Sequence, residues 1–122
     1  MNALIAGGGT GGHVYPALAV AAALRDRGDG VAFVGADDGP EATAVPAAGY
    51  PFTGVRVISA QTRLSVRTLR ALGLIVAAAW HVRRLVRRSD VVISIGGFAS
   101  APATLSALLT RRPVVIVEPN AI

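Results

Sequence analysis

The sequence predicts a doubly wound α/β domain, a parallel sheet with helices on both faces. Three observations predict it. Five short apolar runs alternate with helical stretches along the chain. The runs are apolar throughout, as in strands buried on both faces. Two glycine clusters, Gly7 to Gly12 (GGGTGG) and Gly96-Gly97, each come after a run and before a helix.

Asn2 to Ala6 (NALIA) reads as the first strand, ended by glycines. Val14 to Arg27 carries Val14, Leu18, Ala21 or Ala22, and Leu24 at helical spacing, and Gly28 stops it. Pro16 is placed in its first turn, where a missing N–H has no intrahelical partner to lose. Val31 to Gly35 is the second strand and Pro40 to Ala48 a short helix, ended or interrupted by Pro46. Phe52 to Ile58 is the third strand and Ser65 to Arg88 a long helix. Asp90 to Ile95 is the fourth strand. Ser100 to Thr110 is a helix with Pro102 near its start, and Pro113 to Val117 is the fifth strand. Right-handed crossovers put the strands in the order 3-2-1-4-5. Such sheets bind ligands at the carboxyl ends of the strands where the order reverses, here between strands one and four. Both glycine clusters fall there.

The 122 residues suit one domain, and 52% hydrophobic content suffices for one core. Residues 118–122 come after the fifth strand with no closing helix, so a fragment of a longer protein is expected. With no cysteine there is neither a disulfide frame nor a zinc-thiolate site, and the cytoplasm is the simplest compartment. No signal peptide is legible. The longest apolar stretch, Ala71 to Trp80, is about half of a bilayer crossing. Net charge is +5 and all twelve basic residues are arginine, eight of them between Ala42 and Ser89, where no acidic residue occurs. That clustering points to an anionic partner: a phosphate-bearing substrate, an acidic membrane or a nucleic acid. An aromatic content of 5% argues against a base-stacking surface, and no nucleic-acid partner is expected.

Gly7-x-Gly9-x-x-Gly12, between a strand and a helix, satisfies the dinucleotide fingerprint, with Asp37 as a ribose-binding acid. Its physics is shared by many anions. Glycines admit close backbone approach, and the free N–H groups and dipole of the helix terminus stabilise negative charge. A nicotinamide or flavin cofactor therefore stays open on the loop alone. His13 at the helix start suits a general base, because the positive terminus favours the neutral imidazole; ordering the loop by a hydrogen bond is the alternative role. After strand four, Gly96-Gly97 with Ser100 at an N-cap position and Pro102 early in the helix repeats the design. Two cradles flanking one crevice suit a ligand with two adjacent phosphates.

These motifs carry a family resemblance. The stretch Gly8 to Ala19 (GGTGGHVYPALA) resembles the first glycine loop of the MurG-type glycosyltransferases. Gly96-Gly97-Phe98-Ala99-Ser100-Ala101-Pro102 resembles their second loop, and Glu118-Pro119-Asn120-Ala121 their segment after the fifth strand. The three come in the family's order and spacing. The resemblance implies the N-terminal, Rossmann-like half of a GT-B enzyme, with residues 1–122 as the acceptor-binding domain and the donor-binding domain absent. It implies transfer of N-acetylglucosamine from UDP to the muramyl 4-hydroxyl of lipid I with inversion, giving lipid II in peptidoglycan and cell-wall biogenesis, and hence a part in cell shape and division. It implies His13 as the base or acceptor-hydroxyl partner. Thr10, Gly11, Gly12, Gly96, Gly97 and Ser100 would line the substrate site, and Asn120 would bond the acceptor sugar. No cofactor or metal is implied, and UDP-GlcNAc would bind through the absent domain. Phe98 stands where the family usually has tyrosine, and Ala101 and Pro119 replace common glycine and glutamine, which leaves another polyprenyl or secondary-metabolite acceptor open. A membrane-docking subunit of a split transferase is a further alternative.

Leu69, Leu72, Ile75, Val76, Ala79 and Trp80 of the long helix are apolar among arginines that include Arg83 and Arg84. One stripe is expected on the sheet. The rest has the composition of an interfacial surface for anionic lipid, with Leu72, Ile75, Val76, Trp80, Arg83 and Arg84 in contact. The resemblance agrees, placing the protein peripherally at the cytoplasmic face of the cell membrane. Asp37, Asp38 and Glu41 are expected to be a solvated loop capping the short helix, and His81 a surface residue.

Overall fold

The computed structural model describes residues 1–7, 11–56, 66–96 and 100–117, and of residues 11–13, 66–68, 71 and 96 the backbone alone. The elements run β1 (Asn2–Gly7), α1 (Gly11–Asp26), β2 (Gly30–Ala36), α2 (Glu41–Ala47), β3 (Phe52–Val55), α3 (Val66–His81), α4 (Arg83–Arg87), β4 (Val91–Gly96), α5 (Ala101–Thr110) and β5 (Val114–Ile116). The sheet has the expected order β3-β2-β1-β4-β5, parallel throughout.

Period-two alternation splits each apolar strand between two cores. Ala3 and Ile5 of β1 join Ala17, Ala21 and Leu24 of α1 and Val45 of α2 on one face. Leu4 and Ala6 join Ala78, Val82, Val86, Ala103 and Ala107 of α3, α4 and α5 on the other. The central strand is therefore apolar at every inner position, which is why its sequence carries no alternation.

Gly28, at φ 88°, ends α1 as its place in the sequence predicts. Its N–H donates to the Arg25 carbonyl at 2.9 Å and that of Asp29 to the Leu24 carbonyl at 3.0 Å, the paired bonds of a left-handed helix stop. The same pattern ends α5: Arg111 donates to Leu108 at 3.4 Å and Arg112 to Ala107 at 2.8 Å. There an arginine takes the left-handed position, at φ 59°.

Three expectations are corrected. The helix α1 begins at Gly11, so Pro16 is its sixth residue rather than part of its first turn. The missing N–H then deprives the Gly12 carbonyl of its usual donor four residues on. The long helix is broken at Val82 (φ −89°, ψ 0°) into α3 and α4. The break falls where the chain meets the sheet: Ala78 and Ala79 are the buried side chains among those described in α3, whereas Val82 and Val86 are wholly buried. Before these, Leu69, Leu72 and Val76 are exposed and Leu74 and Ile75 only half-buried, so the described part of α3 lays no continuous buried stripe along the sheet. Lastly, β5 is no buried strand. Among the described residues it pairs with β4 alone, and Ile116 is 73% exposed.

Candidate functional site

The two glycine clusters leave the sheet side by side. In the β1–β4 ladder Ala6 pairs with Ser94, and then Gly7 pairs with Gly96. The register slips by one residue, Ile95, at the point where both strands end. Such a bulge bends the strand and re-aims the chain beyond it. The chain leaving β5 joins the same edge, because the Val117 N–H donates to the Ser94 carbonyl at 2.8 Å.

Two helix N-termini continue from these ends. The first turn of α1 is Gly11-Gly12-His13, and α5 starts at Ala101 with Pro102 behind it. The opening N–H groups of each helix have no intrahelical acceptor and carry the positive end of the dipole. They follow the ends of two adjacent strands, β1 and β4. Ser100 holds the N-cap position of α5 and is buried, but no side-chain capping bond forms; its carbonyl instead accepts from Thr104 Oγ1 at 2.9 Å.

The candidate residues divide accordingly. Gly11, Gly12 and His13 lie in the first turn of α1, Gly96 is the last residue of β4, and Ser100 sits at the start of α5. Thr10, Gly97, Phe98, Pro119 and Asn120 lie outside the described residues. Among the described residues no three metal-ligating side chains come together.

The acidic cluster behaves otherwise than expected. Asp37 and Asp38 are exposed, with the Asp37 N–H bonded to the Val55 carbonyl at 3.0 Å. Glu41, however, is 3% exposed, and the N-cap of α2 is Pro40, without a side-chain bond. Its Oε1 instead accepts the Ala36 N–H at 2.8 Å, at the end of β2. Sequence reasoning missed it because a lone glutamate beside Asp37 and Asp38 looks like a solvated turn. The available signal was Gly35 and Gly39 around it, where a side chain would strike Glu41.

The apolar surface is real and wider than expected. Leu69, Leu72, Val76 and Trp80 line one side of α3 and are exposed, Trp80 by 69%, while Ile75 is half-buried. The Arg83 guanidinium stacks over the Trp80 ring at 3.8 Å, and Arg84, next to it in sequence, is exposed. The surface continues onto α5, where Leu108 and Leu109 are exposed. Sequence reasoning missed this continuation because α5 was needed to cover the sheet. Val76, Trp80, Arg83, Leu105 and Leu109 border a groove of about 200 Å³ between the two helices. Among the described residues no helix is long and apolar enough to cross a membrane.

The fold and these loops have close counterparts. The profile of the glycosyltransferase family 28 N-terminal domain matches residues 3–122. The chain is 42% identical over 123 residues to the UDP-N-acetylglucosamine--N-acetylmuramyl-(pentapeptide) pyrophosphoryl-undecaprenol N-acetylglucosamine transferase of Halothermothrix orenii, covering 99% of this chain and 33% of that one. It is 44% identical over 126 residues to the protein of the same name from Anaeromyxobacter, covering 100% and 33%. Among solved structures, Acinetobacter baumannii MurG matches with a TM-score of 0.80 and 30% identity, over 94% of this chain and 34% of that one. The calicheamicin glycosyltransferase CalG4, at 22% identity and a TM-score of 0.61, shares the fold. The chain spans about a third of the length of the relatives it matches.

Proposed function

The chain belongs to the glycosyltransferase family 28 N-terminal domain family, and from that premise we propose that it is the acceptor-binding half of an inverting transferase. The enzyme moves N-acetylglucosamine from UDP-GlcNAc to the muramyl 4-hydroxyl of lipid I. The observation that supports this reading is the pairing of Gly7 with Gly96, which brings the strand ends before α1 and α5 side by side. A lipid-linked diphosphate is the acceptor feature such a pair of positive helix ends suits. The names of the relatives support the sugar and the pyrophosphoryl-undecaprenol acceptor.

In this reading the backbone N–H groups of Gly11, Gly12 and the start of α5 hold the acceptor diphosphate, with Thr10, Gly97 and Asn120 completing the acceptor contacts. His13 takes the proton from the acceptor hydroxyl as that oxygen attacks the anomeric carbon. The bond to UDP breaks on the opposite face, and the leaving diphosphate is stabilised by the donor half, outside this chain. Leu72, Ile75, Val76 and Trp80, with Arg83 and Arg84, rest on the anionic cytoplasmic face of the membrane, where the acceptor's polyprenyl tail is anchored. Exposed apolar side chains flanked by arginine support that placement.

Equilibrium titration of the 122-residue chain tests the assignment. It should bind a short-chain lipid I analogue, and bind neither UDP-GlcNAc nor NADH at comparable concentration. Saturable binding of NADH, with none of the lipid I analogue, would reverse the reading in favour of a dinucleotide enzyme.

A further inference from the structure

The one buried carboxylate among the described residues lies beside Gly7, where β1 ends, and neither the fold nor the proposed chemistry has used it. Glu41 is packed from three sides. Its Oε1 accepts the Ala36 N–H at 2.8 Å, tying it to the end of β2. A Cβ placed on Gly35 would come within 2.7 Å of Glu41 Cγ and 2.8 Å of the Gly7 carbonyl oxygen, so Glu41, β2 and the exit of β1 meet with no room for another atom. A Cβ on Gly39 would lie within 2.6 Å of Glu41 Oε1. The third side is α1: Glu41 shares with Gly7, Val14, Ala17, Phe33 and Val45 a residual space of about 10 Å³, room for one water at most.

A carboxylate resists burial, and closing a surface turn does not require one. Its burial here coincides with the point where β1 becomes the glycine loop. We propose that Glu41 is a positioning residue for the diphosphate cradle. By holding the turn after β2 shut against Gly7 and α1, it fixes the end of β1 and the start of α1, between which the loop runs. It touches no substrate and acts through the backbone it supports. The inference rests on the reading of that loop as the diphosphate site.

Inorganic pyrophosphate is the probe, titrated calorimetrically into the 122-residue chain and its variants, with thermal unfolding measured in parallel. Glu41→Ala should weaken binding at least tenfold. Glu41→Gln, which keeps the length and the acceptor oxygen for Ala36, should stay within threefold of the parent, whereas the shorter Glu41→Asp should lose at least fivefold. Val86→Ala, on the opposite face of the sheet, supplies the control: it should lower Tm with affinity unchanged, separating positioning from general stability. If Glu41→Ala does not fold, Asp against Gln decides. Parent-like affinity in Glu41→Asp, or in a folded Glu41→Ala, would overturn the inference while leaving the loop's assignment standing. An equal loss of affinity in Val86→Ala would reduce Glu41 to a stability residue. A parent chain that does not bind pyrophosphate would sink the cradle and Glu41's role together.

Discussion

His13 is the third residue of α1, one turn or less from every unpaired N–H at that end of the helix. A general base must start with its imidazole neutral. In a full-length transferase carrying this domain, His13→Ala should lower kcat by about 10²–10⁴-fold and leave the KM for UDP-GlcNAc unchanged. The acid limb of the pH–rate profile should vanish with it; a surviving limb would assign the proton transfer to another group. Arg111 makes a prediction of a different kind. It holds the left-handed position that ends α5, at φ 59°, where a side chain is strained and glycine is not. Arg111→Gly should therefore stabilise the domain by about 0.5–1 kcal/mol after the entropy glycine adds to the unfolded chain. Denaturant unfolding measures it, and a lower midpoint would show that the Arg111 side chain stabilises the fold in some other way.

Among elements, α3 departs furthest from the usual covering helix. Its buried side chains, among those described, are Ala78 and Ala79, and Leu69, Leu72 and Val76 before them are exposed. The Val82 break hands the covering role to α4, through Val86. An apolar stripe left exposed among the described residues suits an interface with lipid, and the arginines beside it suit anionic headgroups. Sedimentation with vesicles should show binding that rises with the anionic lipid fraction and falls with salt. Trp80→Ala should weaken partitioning by about fivefold or more, whereas a joint Arg83→Gln, Arg84→Gln change should chiefly remove the dependence on anionic lipid. Equal binding to neutral and anionic vesicles would contradict this use of the face.

At the scale of the whole molecule, the proposed function puts the acceptor cradle and the apolar face in one domain and the donor site in another. The 122-residue chain should thus bind acceptor and membrane yet transfer no sugar from UDP-GlcNAc; turnover measured by UDP release would refute the division of labour. The fold was legible almost completely from sequence. Strands buried on both faces need apolar residues at every position, glycines mark the chain's exits, and parallel crossovers have one hand, so local pattern dictated β3-β2-β1-β4-β5. The glycines at the ends of β1 and β4 were legible for the same reason, since a chain leaving a sheet marks its exit in residue type. What only the tertiary structure decided depends on residues distant in sequence: the slip that pairs Gly7 with Gly96, the burial of Glu41 against Gly7 and Ala36, and the union of α3 with Leu108 and Leu109 of α5. A glutamate in a turn and a leucine on a helix read alike whether they face water or a neighbour. Burial is a property of the neighbours, and the sequence records those only through the fold.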